Sequence, residues 1–431
     1  MLALNTDEMK LPPMRMIRQG YEVAPKVDVA AELNRQWDRI KDHLDLPQGS
    51  SVAIGVGSRG ITDLADVVRG VVAKTKQAGF APFITPAMGS HGGATAEGQV
   101  NVLTNLGITE DNVGAPVRAT MEAVPLGEFN GIPLFLDKWA HQAEGIVLIN
   151  RIKPHTDFSG PTESGLIKMM AIGLGNQIGA EHYHRLSVIR NMYEIISSAG
   201  KALLERTNFL FGVGLVENQE HATTILRMIL PEEVEAVEIE LLKVAREVMP
   251  QLPLAEIDLL IIDEMGKDIS GAGIDPIVTG RYNCGYREGE QGPYISRIFV
   301  RDLTDASEGN ALGIGRADVA TQSLVDKIDA DATAINCLTS CCPEDGKIPL
   351  TFDTDREAIA AVLMTLRPHT LQDVSIVYIQ NTLELKRLMF SQGCLPNLEG
   401  RPDLHIESES LELVFDSSGS LISPFKIKHE S

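Results

Sequence analysis

Aromatic residues are scarce in this chain: Phe, Tyr and Trp together supply 5% of its 431 residues. An all-β sandwich core is therefore a poor fit. The 38 glycines and the aliphatic character of the 44% apolar fraction suit α/β layers instead. No run of about 18 uncharged apolar residues occurs, which excludes a membrane-spanning helix. The opening MLALNTDEMKLPPMRM has no apolar stretch behind a basic start, so no signal peptide is expected. Cysteine is also sparse, with five scattered at positions 284, 337, 341, 342 and 394. An odd, scattered set reads as reduced thiols in a cytoplasmic protein. The C-x3-C-C run at Cys337, Cys341 and Cys342 matches no usual iron–sulfur or zinc spacing, so these cysteines read as core or incidental. Basic residues are outnumbered 38 to 59, for a formal charge of −21. Such a chain repels phosphate backbones and anionic lipid, so neither nucleic acid nor membrane is an expected partner. An anionic substrate would need positive charge placed locally.

What is present alternates. Residues 51–56 (SVAIGV) form a short apolar strand, followed by a Gly-rich turn and an amphipathic helix over 62–79. A second strand covers 80–86, a helix 96–106, and a third strand 144–152 ends in a Gly- and Ser-rich loop. A helix over 231–248 closes this unit, and residues 249–256, with two prolines, read as a linker. A second unit starts at 257–266. It continues through an apolar stretch at 296–304, a helix over 318–328, an apolar stretch at 333–339, a helix over 355–366 and an apolar stretch at 374–381. The segment after Asn397 reads as a β-rich or irregular cap. The fold class is α/β, with two α/β domains of mainly parallel sheet over 1–252 and 253–431. In such sheets ligands sit outside the carboxyl ends of the strands, so the expected site lies there, in a cleft between the domains.

The polar motifs fall on those strand ends. Gly55-Val56-Gly57-Ser58-Arg59-Gly60 is a G-x-G-x-x-G turn between a strand and a helix, where backbone N–H groups and the helix N-terminus favour phosphate. A dinucleotide site would want an acid about 20 residues on, at the next strand end. Residues 80–93 contain none. Arg59 suits one terminal phosphate, and a purely structural turn is the plain rival. Gly89-Ser90-His91-Gly92-Gly93 exposes an imidazole among glycines, able to move a proton near neutral pH. Alone, a histidine there is as readily structural. Arg151-Ile152-Lys153-Pro154-His155 sets a second histidine behind two cations that could hold a carboxylate; a solvated basic loop is the alternative. Residues 159–175 carry Lys168 alone in an apolar, Gly-spaced run, where burial would free an amine for chemistry unless the head group reaches solvent. His182 and His184 follow at i, i+2, pointing to different sides of a helix, so only one would join a given site.

The ordered set resembles one family, the nickel-pincer nucleotide-dependent lactate racemases and related 2-hydroxy-acid racemases and epimerases. The resemblance covers about residues 50–190. It implies an isomerase that inverts the hydroxyl-bearing carbon of a small hydroxy acid. The implied cofactor is a nicotinic acid mononucleotide derivative with two thio-acid groups, whose nickel takes a protein histidine as fourth ligand. By resemblance, Ser58, Arg59 and Gly60 hold the phosphate and Lys168 joins a thio-acid group. His184 ligates nickel, with His182 as alternative, and His91 and His155 are the acid/base pair on opposite substrate faces. Hydride would pass to the cofactor ring and return to the other face of a planar keto acid.

This chain departs from the family pattern in three places. Val56 and Ser58 stand where Asp and Thr are common beside the arginine, and Pro161-Thr162-Glu163 lengthens the lysine loop. Residues 266–276, followed by Arg281, replace the family's C-terminal signatures. The implied substrate is larger or more polar than lactate, contacted by Lys153, Lys267, Asp268 and Arg281. Two other classes compete: an NAD(P)-dependent hydroxy-acid dehydrogenase, resting on the glycine turn, and a non-catalytic binder of nucleotide or phosphate ligands. The sequence leaves a homo-oligomer open.

Overall fold

The computed structural model describes residues 10–58, 60–284, 292–366 and 370–425. The chain forms two compact units, Val23–Met249 and Met1–Glu22 with Pro250–Ser431. The boundary expected at the 249–256 linker puts residues 1–22 in the first domain. Instead the strand Met14–Gln19 pairs antiparallel with Arg387–Ser391 on one side and Leu404–Ile406 on the other. The strand buries Met14 and Met16 on one face and Ile17 on the other, within the later unit.

In the unit Val23–Met249, a five-stranded sheet has the order Ala81–Pro86, Ser51–Val56, Gly145–Arg151, Phe209–Glu217, Thr223–Ile229. The first four strands are parallel and the last is antiparallel. Ser51–Val56 and Gly145–Arg151 read as continuous apolar runs because both sheet faces are covered. The helix Leu64–Gln77 covers one face and buries Leu64, Val67, Val68, Val71 and Val72, an i, i+3, i+4, i+7, i+8 stripe. On that face Trp37 meets Phe211 edge-on at 6.0 Å. The other face packs against the segment 166–174 and the helix Met192–Arg206.

The second unit holds an eight-stranded mixed sheet. Leu350–Phe352, Val319–Thr321, Tyr294–Val300, Glu256–Ile262 and Ile376–Ile379 are parallel; the remaining three strands are antiparallel. One local expectation gives way here, and one unassigned apolar stretch proves helical. The stretch read as helix over 318–328 is the strand Val319–Thr321 followed by a short helix Gln322–Asp326, started by the Thr321 side chain accepting from Leu324 N at 3.1 Å. The apolar stretch at 333–339 lies within the helix Ala330–Thr339, whose N-cap is Asp329. Both caps are local side-chain hydrogen bonds that outweigh the apolar pattern. Among the described residues no helix is long and apolar enough to cross a membrane.

Candidate functional site

Adjacent parallel strands bring their carboxyl ends to one sheet edge. Ser58 follows Ser51–Val56, His91 follows Ala81–Pro86, and His155 follows Gly145–Arg151. Across that edge the Ser58 Oγ and His91 Nδ1 are hydrogen-bonded. His91 leads into Gly92 and Gly93, both at positive φ. A Cβ on Gly92 would strike the backbone of Gly98 and Gln99 at 2.7 Å, so only glycine lets the chain turn that tightly behind the imidazole. Arg59 lies outside the described residues; Gly60 leads into the helix at Leu64.

The His155 loop is closed at its base. Lys153 and Ser164 exchange backbone hydrogen bonds of 3.0 and 3.2 Å. Within it, buried Glu163 accepts from His155 N at 2.6 Å, Gly160 N at 3.2 Å and Arg246 at 2.7 Å. The His155 ring stacks on Phe158 with centroids 4.3 Å apart. Its Nδ1 accepts the Asp157 N–H at 3.0 Å and lies 4.0 Å from the Asp157 carboxylate. In the neutral ring this puts the hydrogen on Nε2, which is then set to donate.

The lysine segment is docked from several sides. One helical turn, Leu166–Lys168, runs into a wider turn at Met169–Gly173. Glu238, from the helix Val234–Glu247, accepts from the N–H groups of Leu166 and, at 3.2 Å, Ile167. Asn150 donates to Gly165 O at 2.9 Å. A Cβ on Gly200 would lie 2.4 Å from Ile167 O, and one on Gly212 would lie 2.2 Å from Leu166 Cδ1. Glycine at these two positions is what permits the close approach. The segment also touches two other strand exits. Gly57 faces Met169 Cε, and Gly89 N donates to Gly173 O at 3.0 Å. Lys168 is half-buried, with Nζ 5.8 Å from the Phe158 ring centre, so Phe158 is shared with His155.

His182 and His184 separate as the helical spacing requires. His182 bonds Ile178 O at 2.8 Å and lies against Phe135. The part-buried His184 has its pKa lowered, chiefly by desolvation; the Asp157 carboxylate opposes this and Lys168 adds to it. His184 is therefore the one in the field of the lysine segment, and its ring favours the neutral form in which imidazole ligates a metal.

Three expected substrate contacts, Lys267, Asp268 and Arg281, lie in the other unit, engaged within it. Lys267 Nζ donates to Gly271 O at 2.7 Å and to Asn336. Asp268 accepts from Thr304 at 2.6 Å. Arg281 pairs with Asp318 and donates to Ile295 O at 2.7 Å. A cavity of about 260 Å³ at that sheet's carboxyl edge is lined by Asp263, Arg301, Asp302, Thr321, Asp353 and Asp355. Its arginine is already held by Asp263, Asp355 and Tyr378, which makes it an ion-pair chamber rather than an anion site.

The cysteines depart from expectation. Cys284 and Cys342 are disulfide-bonded across 58 residues, with Cα atoms 5.8 Å apart. Short-range spacing could not reveal that pairing. Asp157, Phe158, Glu163, Glu238 and Arg246 also shape these segments without any role expected from the sequence. Glu163 interrupts the glycine-rich loop, which is a usable signal. Glu238 and Arg246 look like surface charges of an amphipathic helix, and nothing local marks them.

No family model matches the chain, and no curated protein matches it. Among solved structures it is similar to the lactate racemase apoprotein from Thermoanaerobacterium thermosaccharolyticum. That match has 13% identity and a TM-score of 0.45, covering 81% of this chain and 86% of that one.

Proposed function

We propose that this chain is a racemase or epimerase of a small 2-hydroxy acid, working with a nickel-pincer nucleotide. The observation that carries the reading is the meeting of His155 and Lys168 on Phe158, with His184 in the field of Lys168 and Asp157. Among the described residues, the cluster with three protein ligands for a metal lies elsewhere, at Cys284, Cys342 and Glu344. One neutral histidine beside one lysine suits a metal that brings its other ligands with it.

In this reading the turn at Ser58, Arg59 and Gly60 holds the phosphate, Lys168 the thio-acid arm and His184 the nickel. The bound cofactor supplies a reversible acceptor for the carbon-bound hydrogen as hydride. His91 donates Nδ1–H to Ser58 and takes the substrate hydroxyl proton at Nε2. His155, as the imidazolium with its Nδ1–H turned to the Asp157 carboxylate 4.0 Å away, returns a proton from Nε2 on the opposite face. Inversion requires one proton relay per face, hence two histidines from different strand ends. Lys153 is the nearest cation in sequence to His155 and would clamp the carboxylate. Lys267, Asp268 and Arg281 would serve a larger substrate only by giving up their present partners.

The test is to purify the protein from cells that make the cofactor and measure nickel per chain, near-ultraviolet absorbance and optical rotation with hydroxy acids. One nickel per chain with inversion supports the reading. A folded protein with neither nickel nor absorbance overturns it, and saturable NAD or NADP binding would favour the dehydrogenase.

A further inference from the structure

The disulfide-bonded pair lies against a carboxylate. Cys284 Sγ is 3.2 Å from Glu344 Oε2. The sulfur of a disulfide has no hydrogen to donate, so this approach gains nothing electrostatically in the oxidised state. A cation between the three groups would make the same approach favourable. The ligand atoms of Cys284, Cys342 and Glu344 all lie within 4.8 Å of one another. Two thiolates and one carboxylate are a zinc-type donor set with a fourth position left for water. At Zn–S distances near 2.3 Å, tetrahedral sulfurs sit about 3.7 Å apart, a small separation from the bonded positions.

The corner holds together without the S–S bond. Asn283, next to Cys284, donates to Asp345 at 2.9 Å. Asp345, next to Glu344, is paired with buried Arg316 at 2.6 Å. Arg281 ties the same segment to Asp318 and Ile295. On the other side, Cys342 N donates to Cys337 O at 2.9 Å, folding Cys342 back beneath the helix Ala330–Thr339. Reduction would therefore leave two thiols and a carboxylate nearly in place, and an ion would meet little ordering cost.

We propose that Cys284, Cys342 and Glu344 form a redox-gated site for a thiophilic divalent cation of the zinc class. A dithiol reductant delivers two electrons and two protons to the disulfide and is itself oxidised to a disulfide. The cation then displaces the two thiol protons and takes the Glu344 carboxylate as third ligand. The corner is cross-linked in both states, by sulfur–sulfur in one and by metal in the other. The site lies within one unit and does not depend on the racemase reading.

The full-length protein, reduced with a phosphine and freed of excess reagent, is titrated with cobalt(II) and then zinc against a chromophoric chelator. Expected are one ion per chain, a thiolate-to-cobalt charge-transfer band, and affinity more than about 100-fold weaker in Cys284→Ser and Cys342→Ser. Glu344→Gln should weaken it about 10-fold, and Cys394→Ser, elsewhere in the unit, should leave it unchanged. Zinc should also protect Cys284 and Cys342 of the unmodified protein from alkylation, read residue by residue by mass spectrometry, a readout independent of whether the variants fold. The proposal is overturned if the band is absent or the two thiols alkylate equally with and without zinc. A disulfide that survives reduction of the native protein overturns it as well.

Discussion

The backbone amide of His155 donates to Glu163 Oε2 at 2.6 Å, and the other oxygen of that carboxylate takes Arg246 at 2.7 Å. The position of one imidazole is thus set by a buried carboxylate eight residues on and by a helix 83 residues further. In Glu163→Ala, two amides and a guanidinium lose their acceptor, which costs about 3 kcal/mol of unfolding free energy. Urea denaturation measures it. Glu163→Gln, which keeps an acceptor oxygen, should lose less.

His91→Ala and His155→Ala should each lower inversion by about 100-fold or more, as loss of a proton relay does. The melting temperature and nickel content should stay near those of the parent. Ser58→Ala removes one hydrogen-bond partner of His91, worth about 1 kcal/mol, and should slow turnover about 5-fold. Turnover that survives either histidine change would refute the role assignment.

Glu238 is fully buried and desolvation pushes its pKa up to about 8. Its Oε2 has no hydrogen-bond partner among the described residues. Unfolded, the same carboxyl ionises near its ordinary 4.5. Below that both states are protonated and no penalty exists. Between about 4.5 and 8 only the unfolded chain releases the proton, so stability falls as pH rises. Glu238→Gln cannot ionise and should remove that slope. Relative to the parent it should gain about 3 to 5 kcal/mol between acid and pH 9. Parallel pH-stability curves for the two proteins would contradict the assignment.

Arg316 is 3% exposed and its guanidinium reaches Asp345 at 2.6 Å and Ala272 O at 2.6 Å. Arg316→Met leaves a buried carboxylate without its charge partner and should cost about 3 to 5 kcal/mol. Thermal unfolding at neutral pH reads this. Arg316→Met combined with Asp345→Asn should recover part of the loss, because the stranded charge is then gone.

The parallel α/β layers were legible because apolar runs such as SVAIGV can be buried on both faces only between covering helices. The strand ends bearing Ser58, His91 and His155 followed from the same alternation. Helix starts at Gln322 and Ala330 were not legible, since Thr321 and Asp329 cap them in competition with the apolar pattern. The placement of residues 14–19 was hidden for a different reason: a strand's partner is chosen by pairing with Arg387–Ser391, far along the chain.

Local chemistry therefore settled most of the strands and helices, and where Ser58, His91 and His155 leave their strands. Those properties depend on neighbours within a few residues, which any reading of the chain contains. Tertiary structure alone decided that Glu163 and Glu238 hold the His155 and Lys168 segments, that His184 lies in the field of Asp157 and Lys168, and that Cys284 reaches Cys342. These contacts span from 8 to 72 residues, made by packing that no local periodicity encodes.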